Sequence, residues 1–285
     1  NETLESATPI SSLPGVLQHS PDSILEEVEI AVADGIKSVI LFGIPETKDE
    51  EATEAYSAGG VIQTAISLIK THFPDLIVIA DCCLCEYTDH GNCYATEKGN
   101  YDHNKTLELL GDIAASYADA GVDIVAPSGM IDGKVNAIRT ALDEQGHDLV
   151  SIMSYSVKFA SAFYGPFRDA TNASNKTFDR RHHQMNPAQR FEALREADLD
   201  VDEGADSIIV KPITHNLDLV IEVKERTELP IIGYQVSGEY SMLKQAALKG
   251  IVNEKDAFNE VFISMKRAGC SKIISYYAKE IAKTL

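Results

Sequence analysis

Short apolar runs rich in β-branched residues recur along the chain at 38–44 (SVILFGI), 76–82 (LIVIADC), 122–128 (VDIVAPS), 150–156 (VSIMSYS), 206–212 (DSIIVKP), 229–235 (LPIIGYQ) and 271–277 (SKIISYY). Continuous apolar runs of this length read as strands buried on both faces. Between them lie amphipathic segments such as SILEEVEIAVADG, with Ser23 as N-cap and Gly35 as stop, KTLELLGDIAASYADAG and GKVNAIRTALDEQG, each closed by glycine before the next strand. Alternating strands and helices predict an α/β fold around a mostly parallel sheet, open or closed into a (β/α)8 TIM barrel. No G-x-G-x-x-G or Walker A run follows a strand, which weakens the nucleotide-binding alternative. Seven strands are legible where a barrel needs eight, and only the weak TPISSL segment precedes residue 38.

Composition narrows the class without changing the fold. The 285 residues are 44% hydrophobic and 24% charged, enough apolar material for a sizeable core, and nothing in the chain is low-complexity. We expect one TIM-barrel catalytic domain spanning 1–285. A formal net charge of -19 with no Lys/Arg-rich run disfavours nucleic acid and anionic lipid as partners. No apolar stretch is long enough for a membrane span, and the start NETLESATP has no signal-peptide pattern, so the expectation is a cytoplasmic protein. Four of the five cysteines, Cys82, Cys83, Cys85 and Cys93, fall in DCCLCEYTDHGNC, which in a reducing compartment points to metal rather than disulfides.

In barrels the active site lies at the carboxyl ends of the strands. Here those ends carry Asp81 with the cysteines, Ser128 with Asp132, Lys158, Lys211, Tyr234 with Ser237, and Tyr276. Strand ends also carry polar residues simply because they meet solvent, but six successive ends argue for a site. Cys83, Cys85 and Cys93 can bind one zinc ion through three thiolates, leaving a position open as catalytic zinc sites do. Cys82 is a fourth ligand or, since neighbouring strand residues face opposite ways, a core residue. His90 is a further ligand or a base beside the metal. Lys158 and Lys211 each end an apolar strand, where burial and a second nearby cation favour the neutral, nucleophilic amine; a surface lysine with a buried stem is the plain alternative. Arg168, Arg180, Arg181 and Gln184, in or beside the long aperiodic stretch 168–187, suit a carboxylate clamp. Ser237 and Tyr276 offer hydroxyl donors for a second carboxylate.

At these residues the sequence resembles the porphobilinogen synthase (5-aminolevulinate dehydratase) family, in its zinc-dependent branch. The resemblance rests on PISSLPG, LFGIPE, DCCLCEYTDHGNC, APSGMIDGKV, MSYSVKFASAFYGPFRDA, DRRHHQ, EGADSIIVKP, YQVSGEY and ISYY. It implies a hydro-lyase of heme and other tetrapyrrole biosynthesis that condenses two 5-aminolevulinate molecules with loss of two waters. Lys211 then forms the Schiff base with the first substrate and Lys158 with the second, while Cys83, Cys85 and Cys93 hold the catalytic zinc. The resemblance places Asp81 and Ser128 near the reacting groups, and Tyr164 and Phe167 in the pocket lining beside Tyr234. It also places Arg168, Arg180 and Gln184 on one substrate carboxylate and Ser237 and Tyr276 on the other. Glu196 matches the acid of an allosteric magnesium site in some members. Family relatives form homo-octamers organised by an N-terminal arm, and neither arm nor first barrel strand has a counterpart before PISSLPG. Gly129 stands where many relatives carry aspartate, and Asn92 replaces a frequent histidine. Two other readings remain at this point: a single-lysine Schiff-base aldolase on the same barrel, and a metal-binding or regulatory protein without turnover.

Overall fold

All seven apolar runs are strands in the computed structural model, which describes residues 1–171 and 183–284. They are β1 (Ser38–Leu41), β2 (Ile77–Cys82), β3 (Ile124–Pro127), β4 (Ser151–Lys158), β5 (Ser207–Lys211), β6 (Ile231–Tyr234) and β7 (Lys272–Ile274). Each pairs in parallel with its sequence neighbour, so the sheet runs in chain order from β1 to β7. Helices fill the crossovers, among them Ile24–Ala33, His103–Asp119, Lys134–Glu144 and Arg190–Asp202. Asp102 caps the second of these by accepting from the Lys105 amide at 2.9 Å. Ser23 stands at the predicted N-cap of the first, yet its hydroxyl takes the Ser20 amide instead of a helix amide.

Strand periodicity divides the apolar side chains into two layers. Val78, Ala80, Cys82, Val125, Ile152, Val157, Ile208, Val210 and Ile231 point outward into the layer shared with the helices. Ile79, Ala126, Met153, Tyr155, Ile209, Ile232 and Tyr234 point inward and form one cluster, against which Ile40 of β1 and Ile274 of β7 also pack. Residues from both ends of the sheet meeting in one interior mean that the sheet is curled, which makes this a TIM-like barrel. Each fully buried aliphatic of this kind contributes about 1.5–3 kcal/mol of transfer free energy.

The TPISSL segment does not supply an eighth strand. Thr8–Pro9 pairs antiparallel with Leu17–Gln18 in a separate two-residue ladder, closed by the Ile10 amide on the Val16 carbonyl at 3.0 Å. Pro9 lacks a ladder donor, and the Pro14-Gly15 turn folds the segment back on itself. Among the described residues β1 and β7 are therefore the two edges of the main sheet. No helix among them is long and apolar enough to cross a membrane.

One irregularity matters for the site. Ser154 pairs with Ile208, but Val157 pairs with Val210, so β4 holds three steps against two in β5. This bulge reverses the inside-outside alternation of β4. Tyr155 and Lys158, an odd number of residues apart, both face the interior, while Val157 packs outward.

Candidate active site

The bulge places Lys158 opposite Lys211 at the ends of β4 and β5. Both are buried, at 6% and 7% exposure, although each ends in an amine that water would otherwise solvate. The Lys211 Nζ lies 4.1 Å from the ring centre of Tyr234, 5.0 Å from Tyr155, 5.4 Å from Tyr164 and 5.6 Å from Phe167. Aromatic faces favour an ammonium by about 0.5–2 kcal/mol, less than the several kcal/mol that full burial costs it. Burial and then the neighbouring Lys158 cation accordingly bring the Lys211 amine down to about 7, with Asp81 and Glu86 opposing.

Lys158 behaves differently from the mutual activation expected of the pair. Burial again pulls its amine down, but the electrostatic pull of the Cys93, Cys83 and Cys85 cluster and of Asp81 outweighs it and holds the ammonium above its ordinary value. Its Nζ donates to the Ser128 carbonyl. The two lysines are thus distinguished by their neighbours: aromatic rings around Lys211, thiols around Lys158.

Asp81, the last inward residue of β2, lies between them in charge. Burial and then the Cys83 charge push its carboxyl up to about 6, against the pull of Lys211, Lys158 and the Ser128 hydroxyl, which donates to Oδ2 at 2.9 Å. The β2 strand alternates beyond Asp81 so that Cys83 faces the interior, while Cys82 faces outward, its Sγ 3.7 Å from the Leu110 carbonyl. Cys82 is therefore a core residue.

Cys83, Cys85 and Cys93 are buried with their sulfur atoms within 4.8 Å of one another, and the first two lie 3.3 Å apart. A tetrahedral ion with Zn–S bonds of about 2.3 Å needs sulfurs roughly 3.8 Å apart, so the three thiols fit zinc after small shifts. Hydrogen bonds with Cys85 and Cys93 hold the Cys83 thiol well below the usual range, and the bonds of Cys85 to Cys83 and Cys93 push Cys85 well above it. Cys83 is the thiolate that metal binding starts from, the other two releasing protons as they ligate. Asp81, Cys83 and Glu86 form a second group at the same spacing. His90 joins neither group: its Nδ1 accepts the Asn92 amide at 3.2 Å and closes the loop before Cys93. At Gly129 an added Cβ would meet the Cys93 Cβ at 3.5 Å, so the position abuts the thiol cluster.

The remaining expected residues divide. Tyr164 donates to the Phe159 carbonyl at 2.7 Å and fixes the turn after Lys158. The Ser237 hydroxyl accepts the Phe167 amide at 3.0 Å and donates to the Phe163 carbonyl at 3.3 Å, joining the helix Ser237–Leu248 to the turn that carries Tyr164, Phe167 and Arg168. Gly238 permits that approach, since a Cβ there would lie 2.6 Å from the Phe163 carbonyl oxygen. Tyr276 is hydrogen-bonded to Tyr234, and burial pushes its phenol up to about 12. Arg168 is half-buried in the last turn of the short helix Gly165–Ala170, next to Tyr164 in charge. Gln184 is buried beside Lys158, because the adjacent Met185 amide donates to the Lys158 carbonyl at 3.1 Å. Arg180 and Arg181 lie outside the described residues. Asp132 is exposed. Glu196 is half-buried in the helix Arg190–Asp202, its carboxyl raised by burial, Asp132 and Asp200; among the described residues it belongs to no group of three ligands within reach of one ion.

Tyr155 was not legible as a site residue. It is fully buried, its ring lies 5.5 Å from the Lys158 Nζ and 5.0 Å from the Lys211 Nζ, and burial followed by the Asp81 charge drives its phenol far above the usual range. Strand alternation counted back from Lys158 puts Tyr155 on the outer face; only the bulge turns it inward.

Known proteins resemble this chain along its whole length. Residues 1–284 match the family model of delta-aminolevulinic acid dehydratase. The delta-aminolevulinic acid dehydratase of Bacillus subtilis (strain 168) is 51% identical over 284 residues, covering 100% of this chain and 88% of that protein. That of Archaeoglobus fulgidus is 48% identical over 285 residues, with the same coverage of 100% and 88%. The crystal structure of the Toxoplasma gondii ME49 delta-aminolevulinic acid dehydratase (porphobilinogen synthase), in complex with the product porphobilinogen, superposes with a TM-score of 0.97 at 42% identity, covering 100% of this chain and 82% of that one. On this evidence the chain belongs to the delta-aminolevulinic acid dehydratase family.

Proposed function

We propose that this chain condenses two molecules of 5-aminolevulinate into porphobilinogen, a hydro-lyase reaction of tetrapyrrole biosynthesis, with Lys211 and Lys158 as the two imine-forming residues. The observation that carries this reading is the pairing of two buried lysines in register at one barrel mouth, with Asp81 and a three-thiol cluster beside them.

Lys211, with a pKa of about 7, has its free amine populated at neutral pH and attacks the ketone carbon of the first substrate; water leaves as the iminium forms. Lys158 does the same with the second substrate, after giving up a proton that its charged neighbours otherwise hold. Each iminium acidifies the adjacent C–H. The enamine carbon of one substrate bonds to the imine carbon of the other and releases that lysine. The amino group of one substrate then closes the ring on the remaining imine carbon and releases the second lysine. Two waters leave in all, one per imine formed. Asp81, near half-protonated at about pH 6, is placed to take and return the C–H proton, with Ser128 setting its orientation. Tyr155, Tyr164, Phe167 and Tyr234 wall the first substrate from water.

Zinc held by Cys83, Cys85 and Cys93 would supply Lewis-acid polarisation of a bound substrate atom. Arg168, Arg180 and Gln184 form the carboxylate grip of the second substrate, and Ser237 with Tyr276 that of the first. The same proposal includes one catalytic domain over 1–285, a cytoplasmic location, and a homo-oligomer up to the octamer, which sedimentation checks. It also assigns Glu196 to an allosteric magnesium site, although among the described residues Glu196 belongs to no group of three ligands within reach of one ion.

Borohydride reduction in the presence of 5-aminolevulinate, followed by peptide mass spectrometry, should mark Lys211, and the pyrrole colour reaction should report product. Labelling that survives Lys211→Ala unchanged overturns the assignment. A single-lysine aldolase would need neither the second lysine nor the thiols; loss of turnover on chelation, restored by zinc, separates the two.

A further inference from the structure

Lys134 opens the helix Lys134–Glu144, where a cation opposes the helix dipole, and yet its side chain is only 1% exposed. Its Nζ donates to the Gly129 carbonyl at 2.9 Å and the Tyr155 carbonyl at 3.1 Å, and lies 3.6 Å from Oδ2 of Asp200, itself buried. The same Asp200 oxygen accepts the Ser154 hydroxyl at 2.7 Å. A buried ion pair is a weak source of stability, because desolvation offsets the attraction. What is specific here is where the pair reaches. Ser154 and Tyr155 lie at the bulge of β4, and Gly129 follows Ser128, whose carbonyl receives Lys158 and whose hydroxyl holds Asp81.

We infer that the buried Lys134–Asp200 pair is a positioning device for Lys158: it holds the β4 bulge from both sides and fixes the Ser128–Gly129 turn, so that Lys158 rather than Val157 faces Lys211. A bulge leaves backbone groups outside the regular ladder, and each buried one needs a partner. Lys134 is the partner of the Tyr155 carbonyl, and Asp200 anchors the residue before it. Lys211, on the regular strand β5, takes no support from this network. The inference rests on the assignment of both lysines as imine-forming residues.

That asymmetry sets the test. In the wild-type protein, borohydride trapping with 5-aminolevulinate should label Lys211 and Lys158; absence of label from both would remove the functional reading itself and leave nothing for the pair to position. The double variant Lys134→Met with Asp200→Leu removes both charges together, so no unpaired charge is buried. It should stay folded and keep the Lys211 label, lose at least tenfold of the Lys158 label, and form product at least tenfold more slowly. Ser154→Ala, which leaves the ion pair in place and frees one side of the bulge, is the milder variant and guards against misfolding of the first. It should lower the Lys158 label several-fold with Lys211 unchanged. Equal labelling of both lysines at wild-type level in either folded variant overturns the inference, as does parallel loss of both labels, which would mark a merely structural role.

Discussion

Lys158 stands opposite Lys211 because β4 takes one residue more than β5 between the Ser154–Ile208 and Val157–Val210 pairs. In a regular ladder Val157 would face Lys211. Two amines brought together this way, in a mouth walled by aromatic rings on one side and thiols on the other, cannot share one proton affinity. In the proposed reaction this difference sets an order: Lys211 has its free amine near neutral pH, and Lys158 first loses the charge that its neighbours stabilise.

The first prediction concerns pH. Imine formation at Lys211 needs the neutral amine, so the rate of single-turnover borohydride trapping at Lys211 should rise with pH and level off above about 7. A trapping rate that still climbs tenfold between pH 8 and 9.5 would place the amine in the ordinary lysine range and contradict the burial argument.

Stability should follow the same group in the same direction as activity, but over a higher pH range. The unfolded chain holds this proton more tightly than the folded one, so the cost of burying Lys211 is full below about pH 7 and is relieved as pH rises toward 10.5. Each tenfold change in proton affinity is worth about 1.4 kcal/mol. Lys211→Met should therefore raise unfolding free energy at pH 6.5 by at least about 1 kcal/mol, lose that advantage near pH 10, and reduce turnover by roughly three orders of magnitude or more. Denaturant titrations at the two pH values check it.

Cys82 and Cys83 are adjacent but have different surroundings, and their variants should separate. Cys83→Ala should abolish binding of the zinc equivalent, measured by elemental analysis after gel filtration, and with it the thiolate-to-cobalt absorption of cobalt-substituted protein. Cys82→Ala should leave metal content unchanged and lower stability by about 1 kcal/mol, the usual scale for a small cavity. Retained stoichiometric zinc in Cys83→Ala would exclude that residue as a ligand.

Ser128 and Asp81 should be coupled. Removing the hydroxyl that donates to the buried Asp81 carboxylate forfeits a charge-assisted bond worth about 1.5–3 kcal/mol. Ser128→Ala should lower kcat about tenfold or more, and Asp81→Asn roughly 10²–10⁴-fold, the range of general acid-base catalysis. The double variant should be little worse than Asp81→Asn alone, because both act through one contact. Fully additive losses would show independent roles.

Much of this protein was determined by local sequence. Apolar runs of strand length separated by amphipathic helices closed by glycine fix an α/β chain with seven parallel strands, because burial on both faces and helical periodicity are properties of short segments. DCCLCEYTDHGNC and the strand-ending Lys158 and Lys211 named the chemistry, since thiol spacing and an amine at an apolar strand end are equally local. Cys82 could be assigned outward by alternation alone.

Tertiary structure decided the rest. The inward turn of Tyr155, the register that pairs Lys158 with Lys211, and the grip of Lys134 and Asp200 all depend on one extra residue in β4, which shows only against the neighbouring strand. His90 takes the Asn92 amide on its Nδ1, and the Ser237 hydroxyl also ties the Phe163–Phe167 turn, partners that their own segments do not announce. The proton affinities of the two lysines are likewise set by groups far away in the chain, because charge and desolvation act through space. Sequence specified which reactive groups stand at the strand ends; the curled sheet specified which of them meet.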